Sequence, residues 1–156
     1  MKKLLAVLAV LAVMGSAKIF AFGIGAQGGY PLGASVTFKA DNLPCIFAAD
    51  VSIGSVTGFG LTADWWIANP AIEGTWGYFY GVGLGGKMYM GDGWSYLNIG
   101  PRAVLGTNVR LLNNFLELYV QAVYQPTFNI NLSGESGQAG FNWAGFGAAG
   151  GFRIWL

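Results

Sequence analysis

The stretch from Asn114 to Leu132 restricts this chain more than any other. Leu116, Leu118, Val120, Ala122, Tyr124, Pro126, Phe128 and Ile130 alternate with Glu117, Tyr119, Gln121 and Gln125, a period of two that places one set on each face of a single long β-strand. Strands of soluble domains run about five or six residues, whereas a strand tilted across a hydrocarbon layer needs roughly nine to eleven plus its ends. A strand in lipid has no water for its N–H and C=O groups, so it needs hydrogen-bonded neighbours on both sides, and a closed barrel supplies them.

The remaining sequence carries the same pattern. Phe20, Phe22, Ile24 and Ala26 alternate with Gly23, Gly25 and Gln27 in a first strand. After the turn at Pro31, Val36 and Phe38 alternate with Thr37 and Lys39 in a second. Beyond Asp41 to Pro44 comes a third strand, with Phe47, Ala49, Val51 and Ile53 opposite Ala48 and Asp50. The fourth sets Phe59, Leu61, Ala63, Trp65 and Ile67 against Gly60, Thr62, Asp64 and Trp66 and ends at Asn69 and Pro70. Strand five covers Thr75 to Met90, with Gly77, Phe79, Gly81, Gly83, Gly85 and Lys87 on one face. The turn at Gly91 to Gly93 leads into strand six, where Asn98, Gly100, Arg102 and Asn108 form the polar face and Pro101 is expected to mark a bulge. Strand seven is the long one, a polar connection spans Asn131 to Gln138, and strand eight runs from Phe141 to the end. The expected fold is an all-β, eight-stranded antiparallel up-and-down transmembrane barrel. Both termini would lie at one end, with short connections near Pro31, Val56, Asp92 and Glu135 at the other.

Composition agrees. Charged residues make up 10% of the 156, hydrophobic residues 54%, and mean hydropathy is +0.49, where an average soluble domain is about a quarter charged. Residues 1–17 combine Lys2 and Lys3, an apolar run from Leu4 to Met14, and small residues before the cleavage point, the layout of an export signal. The run is too short to span a bilayer. Residues 18–156 then form the barrel domain, destined for the outer membrane. A net charge of +1 offers nucleic acid no clustered basic face. A lone Cys45 excludes an intrachain disulfide, and no metal or cofactor is expected. Gly81, Gly83 and Gly86 fit a dinucleotide-binding spacing, but no helix pattern follows them to receive a pyrophosphate.

Applied to the charges, the alternation turns Lys39, Asp50, Asp64, Lys87, Arg102, Glu117 and Arg153 inward, with Gln27, Gln121 and Gln125. Eight strands leave an interior just wide enough for side chains, so these groups are expected to pair and fill the lumen. Pairing between adjacent strands suggests Lys39, Asp50, Asp64 and Lys87 in one cluster and Arg102, Glu117 and Arg153 in another. The residues Trp65, Trp66, Trp76, Tyr78, Tyr80, Trp94, Tyr96, Trp143 and Trp155 lie near strand ends and suggest interfacial girdles, with a carbohydrate-binding platform as the alternative.

The ending Gly150 to Leu156 resembles the C-terminal signal by which bacterial outer-membrane barrels are recognised for insertion, with Gly151, Ile154 and Leu156 at its positions and Trp155 before the terminal Leu156. The segments GAQGGYP (25–31), DNLP (41–44), GLTADWW (60–66), YGVGLG (80–85) and the final GFRIW resemble a family of small spirochaetal outer-membrane β-barrel proteins of unassigned function. The resemblance implies a barrel, an export signal, contact with outer-membrane lipid and passage through a barrel-assembly machinery. It implies no activity and leaves any extracellular ligand unknown. Three functions compete: a structural or surface-interaction barrel, a narrow channel for small or apolar solutes, and a lipid-modifying enzyme. Familiar enzymes of this size use a histidine, and this chain has none, so a non-enzymatic barrel is expected.

Overall fold

A computed structural model of the chain describes residues 21–30, 33–52, 57–133 and 139–156. Residues 1–17, expected to be an export signal, together with Phe20, Ile53, the connections at Pro31 and Val56, and Glu135, lie outside the described residues. Eleven strands are described: β1 (Phe22–Tyr30), β2 (Ser35–Ala40), β3 (Cys45–Ser52), β4 (Thr57–Ala68), β5 (Ala71–Glu73), β6 (Trp76–Gly91), β7 (Trp94–Leu111), β8 (Leu116–Tyr124), β9 (Thr127–Asn131), β10 (Ala139–Asn142) and β11 (Phe146–Trp155). Every pairing is antiparallel. The circuit β1-β2-β3-β4-β6-β7-β8-β11 returns to β1 through Gly23↔Trp155 to Tyr30↔Ala148, which closes an eight-stranded barrel. Closure leaves none of these eight as an open edge along its paired length.

The wall is unequal in height. β6 has 16 residues and β7 has 18, against 9 in β1 and 6 in β2. The surplus of β7 pairs with β9, and β9 with β10, so a β9–β10 hairpin stands on the tall side at the end opposite the termini.

Two expected strands prove to be interrupted. Strand seven consists of β8 and β9, with Gln125 and Pro126 between them. The registers Ala103↔Tyr124 and Ile99↔Phe128 are in phase and put Pro101 opposite Pro126. Neither residue has an N–H, so the ladder opens there without losing alternation. The bulge expected at Pro101 is therefore absent: Leu84↔Pro101 lies in an unbroken register with β6. The slip occurs in strand eight, which divides into β10 and β11. Asn142 pairs with Thr127, and the Gln125 N–H donates to the Gly145 carbonyl at 2.7 Å, so Trp143 and Ala144 lie opposite Pro126 alone, the two-against-one count of a bulge. A short β5 also pairs with β6 beyond the expected end of strand four at Pro70.

The turn from β7 to β8 is unusual in its backbone. Leu112, Asn113 and Asn114 all have positive φ, at 52°, 56° and 70°. Asparagine tolerates this region, but Leu112 does so against its β-carbon.

Side chains sort by the period of two. Outside stand Val36, Leu84 and Leu105, each at least 60% exposed, and neighbours of the same kind. Inside, Ile46, Trp66, Phe79, Val104, Tyr119 and Val123 form one apolar cluster, with the Trp66 and Phe79 rings stacked at 3.8 Å. Trp66 is thus a lumen residue and not part of a girdle. Trp155 also turns inward, its indole N–H donating to Glu117. Trp65, Trp76, Tyr78 and Tyr80 are exposed, with β6 supplying three of the four.

Candidate functional site

Among the described residues the lumen is the region where polar chemistry is concentrated inside an apolar shell. Lys39, Asp50, Asp64, Lys87, Arg102, Glu117 and Arg153 are all buried, none more than 9% exposed, as are Gln27, Gln121 and Gln125. A charge so placed is stable only when paired and hydrogen-bonded.

Three ion pairs meet the pairing need of six of these seven charges, while Asp50 Oδ1, Arg153 Nε and Arg153 Nη2 find no hydrogen-bond partner among the described residues. Lys87 Nζ donates to Asp50 Oδ2 at 2.5 Å, Arg102 Nε to Asp64 Oδ1 at 2.8 Å with Nη2 on Oδ2 at 3.1 Å, and Arg153 Nη1 to Glu117 Oε2 at 2.7 Å. The Arg102 fork engages both carboxylate oxygens of Asp64, the strongest geometry open to such a pair. Glu117 also accepts from Asn108 Nδ2 and Trp155 Nε1. The expected clusters are therefore redrawn: Arg102 joins Asp64 rather than Glu117, and Lys39 joins neither aspartate. The Lys39 ammonium lies 5.5 Å from the ring centroids of both Trp66 and Trp155, within reach of cation–π attraction.

The altered pairing follows from register, which sets Glu117 opposite Arg110 and not Arg102, and from glycine on the intervening strand. Asp50 is in register with Gly60, and Gly60 with Lys87. Asp64 is in register with Gly83, and Gly83 with Arg102. Gln27 and Tyr119 flank Gly151 in the same way, and the Tyr119 hydroxyl donates to Gln27 Oε1 across it at 2.9 Å. In each row the central residue has no side chain, so partners two strands apart meet over bare backbone. A β-carbon on Gly83 would fall 2.5 Å from Asp64 Oδ1 and 2.2 Å from the Ala63 carbonyl oxygen. Asp50 and Asp64 are not brought together as a carboxylate pair; Asp64 lies four positions along β4 from Gly60, the register partner of Asp50, and each has its own cation. Among the described residues no three acidic, cysteine or histidine side chains gather as a metal site.

Above the ion pairs, at the end opposite the termini, the lumen widens into a cavity of about 400 Å³. Tyr89, Trp94 and Tyr96 line it from the β6–β7 hairpin, so Trp94 and Tyr96 serve this vestibule rather than a girdle. Asn98, Gln125, Asn129 and Asn142 supply carboxamides. The inward set of strand seven, carried past Gln125 to Thr127 and Asn129, is the sequence signal that points to this wall; Asn142 follows only from the bulge in strand eight.

The residues resembling an insertion signal divide between the faces. Gly151 lies between Gln27 and Tyr119, Ile154 pairs with Ile24 and Leu116, and Leu156 is exposed with its backbone bonded both ways to Phe22.

The fold and its contents define a small closed β-barrel with an apolar exterior and a lumen filled by its own ion pairs. The chain matches no protein-family model, and no curated protein or solved structure is significantly similar to it.

Proposed function

We propose that this is an exported, integral outer-membrane barrel with a structural or surface-interaction role and a non-conducting lumen, and that it is not an enzyme. The observation that carries the reading is the inversion of polarity: charges buried within and large aliphatic side chains exposed without. A protein in water gains nothing from that arrangement, whereas lipid takes the apolar face and the sealed lumen spares the charges. Outer-membrane lipid is then its solvent, and an assembly machinery that reads the Gly151, Ile154 and Leu156 ending delivers it there. The export signal at residues 1–17 supports the same route. The three ion pairs favour a plug over the alternative of a narrow channel, because an ion passing them has to part charges with no bulk water beside them.

The test is the mobility of the detergent-folded chain on a gel with and without boiling. A closed barrel in its detergent belt runs at a different apparent size from the boiled chain and gives a β-rich circular dichroism spectrum. A single boiling-independent band, or recovery of the expressed protein in the soluble fraction, refutes the membrane reading.

A further inference from the structure

We propose that the vestibule opposite the termini is a binding site for a neutral sugar, presented either as a free solute or as the end of a surface glycan. The inference rests on the surface-interaction reading above and gives it a ligand class.

Its chemistry is narrow. Among the described residues the one charged side chain in its lining is Lys87, whose ammonium is held by Asp50. The other polar groups are the four carboxamides, the Thr127 hydroxyl and the polar tips of the aromatic rings, and each carboxamide presents donor and acceptor in a single plane, as a sugar hydroxyl pair requires. Tyr89, Trp94 and Tyr96 add broad apolar faces, which suit the C–H face of a pyranose and combine apolar area with polar tips. An anion would find its only cation already committed, and an aliphatic chain would strand the carboxamides without partners.

The carboxamides are arranged rather than scattered. Lys87 is in register with Asn98, Asn98 with Asn129, and Asn129 with Gly140, so Asn98 and Asn129 stand side by side on one row that ends in bare backbone. Asn98 makes no side-chain hydrogen bond among the described residues, and Asn129 accepts only a long one, 3.4 Å, from Thr127. At the floor, Gln125 is 6% exposed, and its Oε1 is held by Arg102 Nη1 at 2.8 Å. Arg102 is itself locked on Asp64. That chain fixes which end of Gln125 faces the salt bridge and leaves its NH₂ as a donor awaiting an acceptor at the cavity.

The experiment uses the detergent-folded full-length barrel, with heat-modifiable mobility verified for each variant. Glucose, galactose and N-acetylglucosamine are titrated while tryptophan fluorescence and saturation-transfer NMR are followed, with inorganic phosphate as the charged counterpart. At least one sugar should give a saturable response with little response to phosphate. Asn98→Leu and Asn129→Leu should each weaken it by about tenfold or more, and Glu73→Gln, exposed near the other end, should leave it unchanged. An array of the same sugars as glycan chain ends distinguishes a surface glycan from a free solute. No response to any of the sugars from a barrel that retains its heat-modifiable mobility, a response to phosphate alone, or sugar binding indifferent to Asn98→Leu and Asn129→Leu overturns the site, while the membrane-barrel reading stands or falls on the gel alone.

Discussion

The two ends of one lumen are built on opposite principles. Toward the termini, Glu117, Arg153, Lys39, Trp66 and Tyr119 are all buried, Glu117 and Arg153 fully. Toward the hairpins, the same tube carries uncharged carboxamides and aromatic rings around about 400 Å³ of open space. A packed, charged segment makes the fold depend on every partner, because each removal leaves an uncompensated charge. An open segment lined mostly by uncharged groups carries less of that dependence and can vary with whatever enters it. The difference assigns stability to one end and recognition to the other.

The contrast is broken most severely at Glu117, which holds Arg153, Asn108 and Trp155 at once. Glu117→Gln keeps the volume but leaves Arg153 short of its anion, and the expected loss is about 3–5 kcal/mol, read as a lowered urea midpoint for unfolding from lipid vesicles. A loss below about 1 kcal/mol would mean that water already solvates that end.

Gly83→Ala tests the bridging rows. Its β-carbon meets backbone of the neighbouring strand and the Asp64 carboxylate, so β4 and β6 must separate and the Arg102 fork must loosen. The expected cost is about 1–3 kcal/mol. Asp64→Asn combined with Gly83→Ala should cost less than the sum of the two alone, since both act on one contact.

The other end should be indifferent by comparison. Asn98→Ala is expected to stay within about 0.5 kcal/mol of the parent, because its side chain has no hydrogen-bond partner among the described residues. At the β7–β8 turn, Leu112→Gly should raise stability by up to about 1 kcal/mol by relieving a left-handed backbone. A decrease there would show that the exposed leucine contributes more as an apolar anchor than its φ of 52° costs.

Much of the lumen is legible in the alternation alone. It separates the inner charges from the outer aliphatics at every one of the seven positions, because a period of two is a property of single strands and survives even the paired prolines Pro101 and Pro126. Partners are not legible in it, because they depend on register, which local pattern does not set. Reasoning from adjacent strands sends Arg102 to Glu117, whereas the glycine at position 83 gives it Asp64 two strands away. The inward glycines are visible as a set, but their use as gaps between partners emerges only once Gly60, Gly83 and Gly151 have neighbours on both sides. The vestibule is hidden for a related reason: Asn98 and Asn142 come from distant parts of the chain and share a wall only through β9.

The plugged lumen is the central claim, and planar-bilayer recording tests it most directly. The folded chain should insert without measurable single-channel steps, and Asp64→Ala with Arg102→Ala, which removes the ion pair between vestibule and plug without leaving a lone charge, should be the first variant to leak. Discrete ohmic steps from the unmodified chain would contradict the account, since ions would then be crossing a tube that its own charges are held to close.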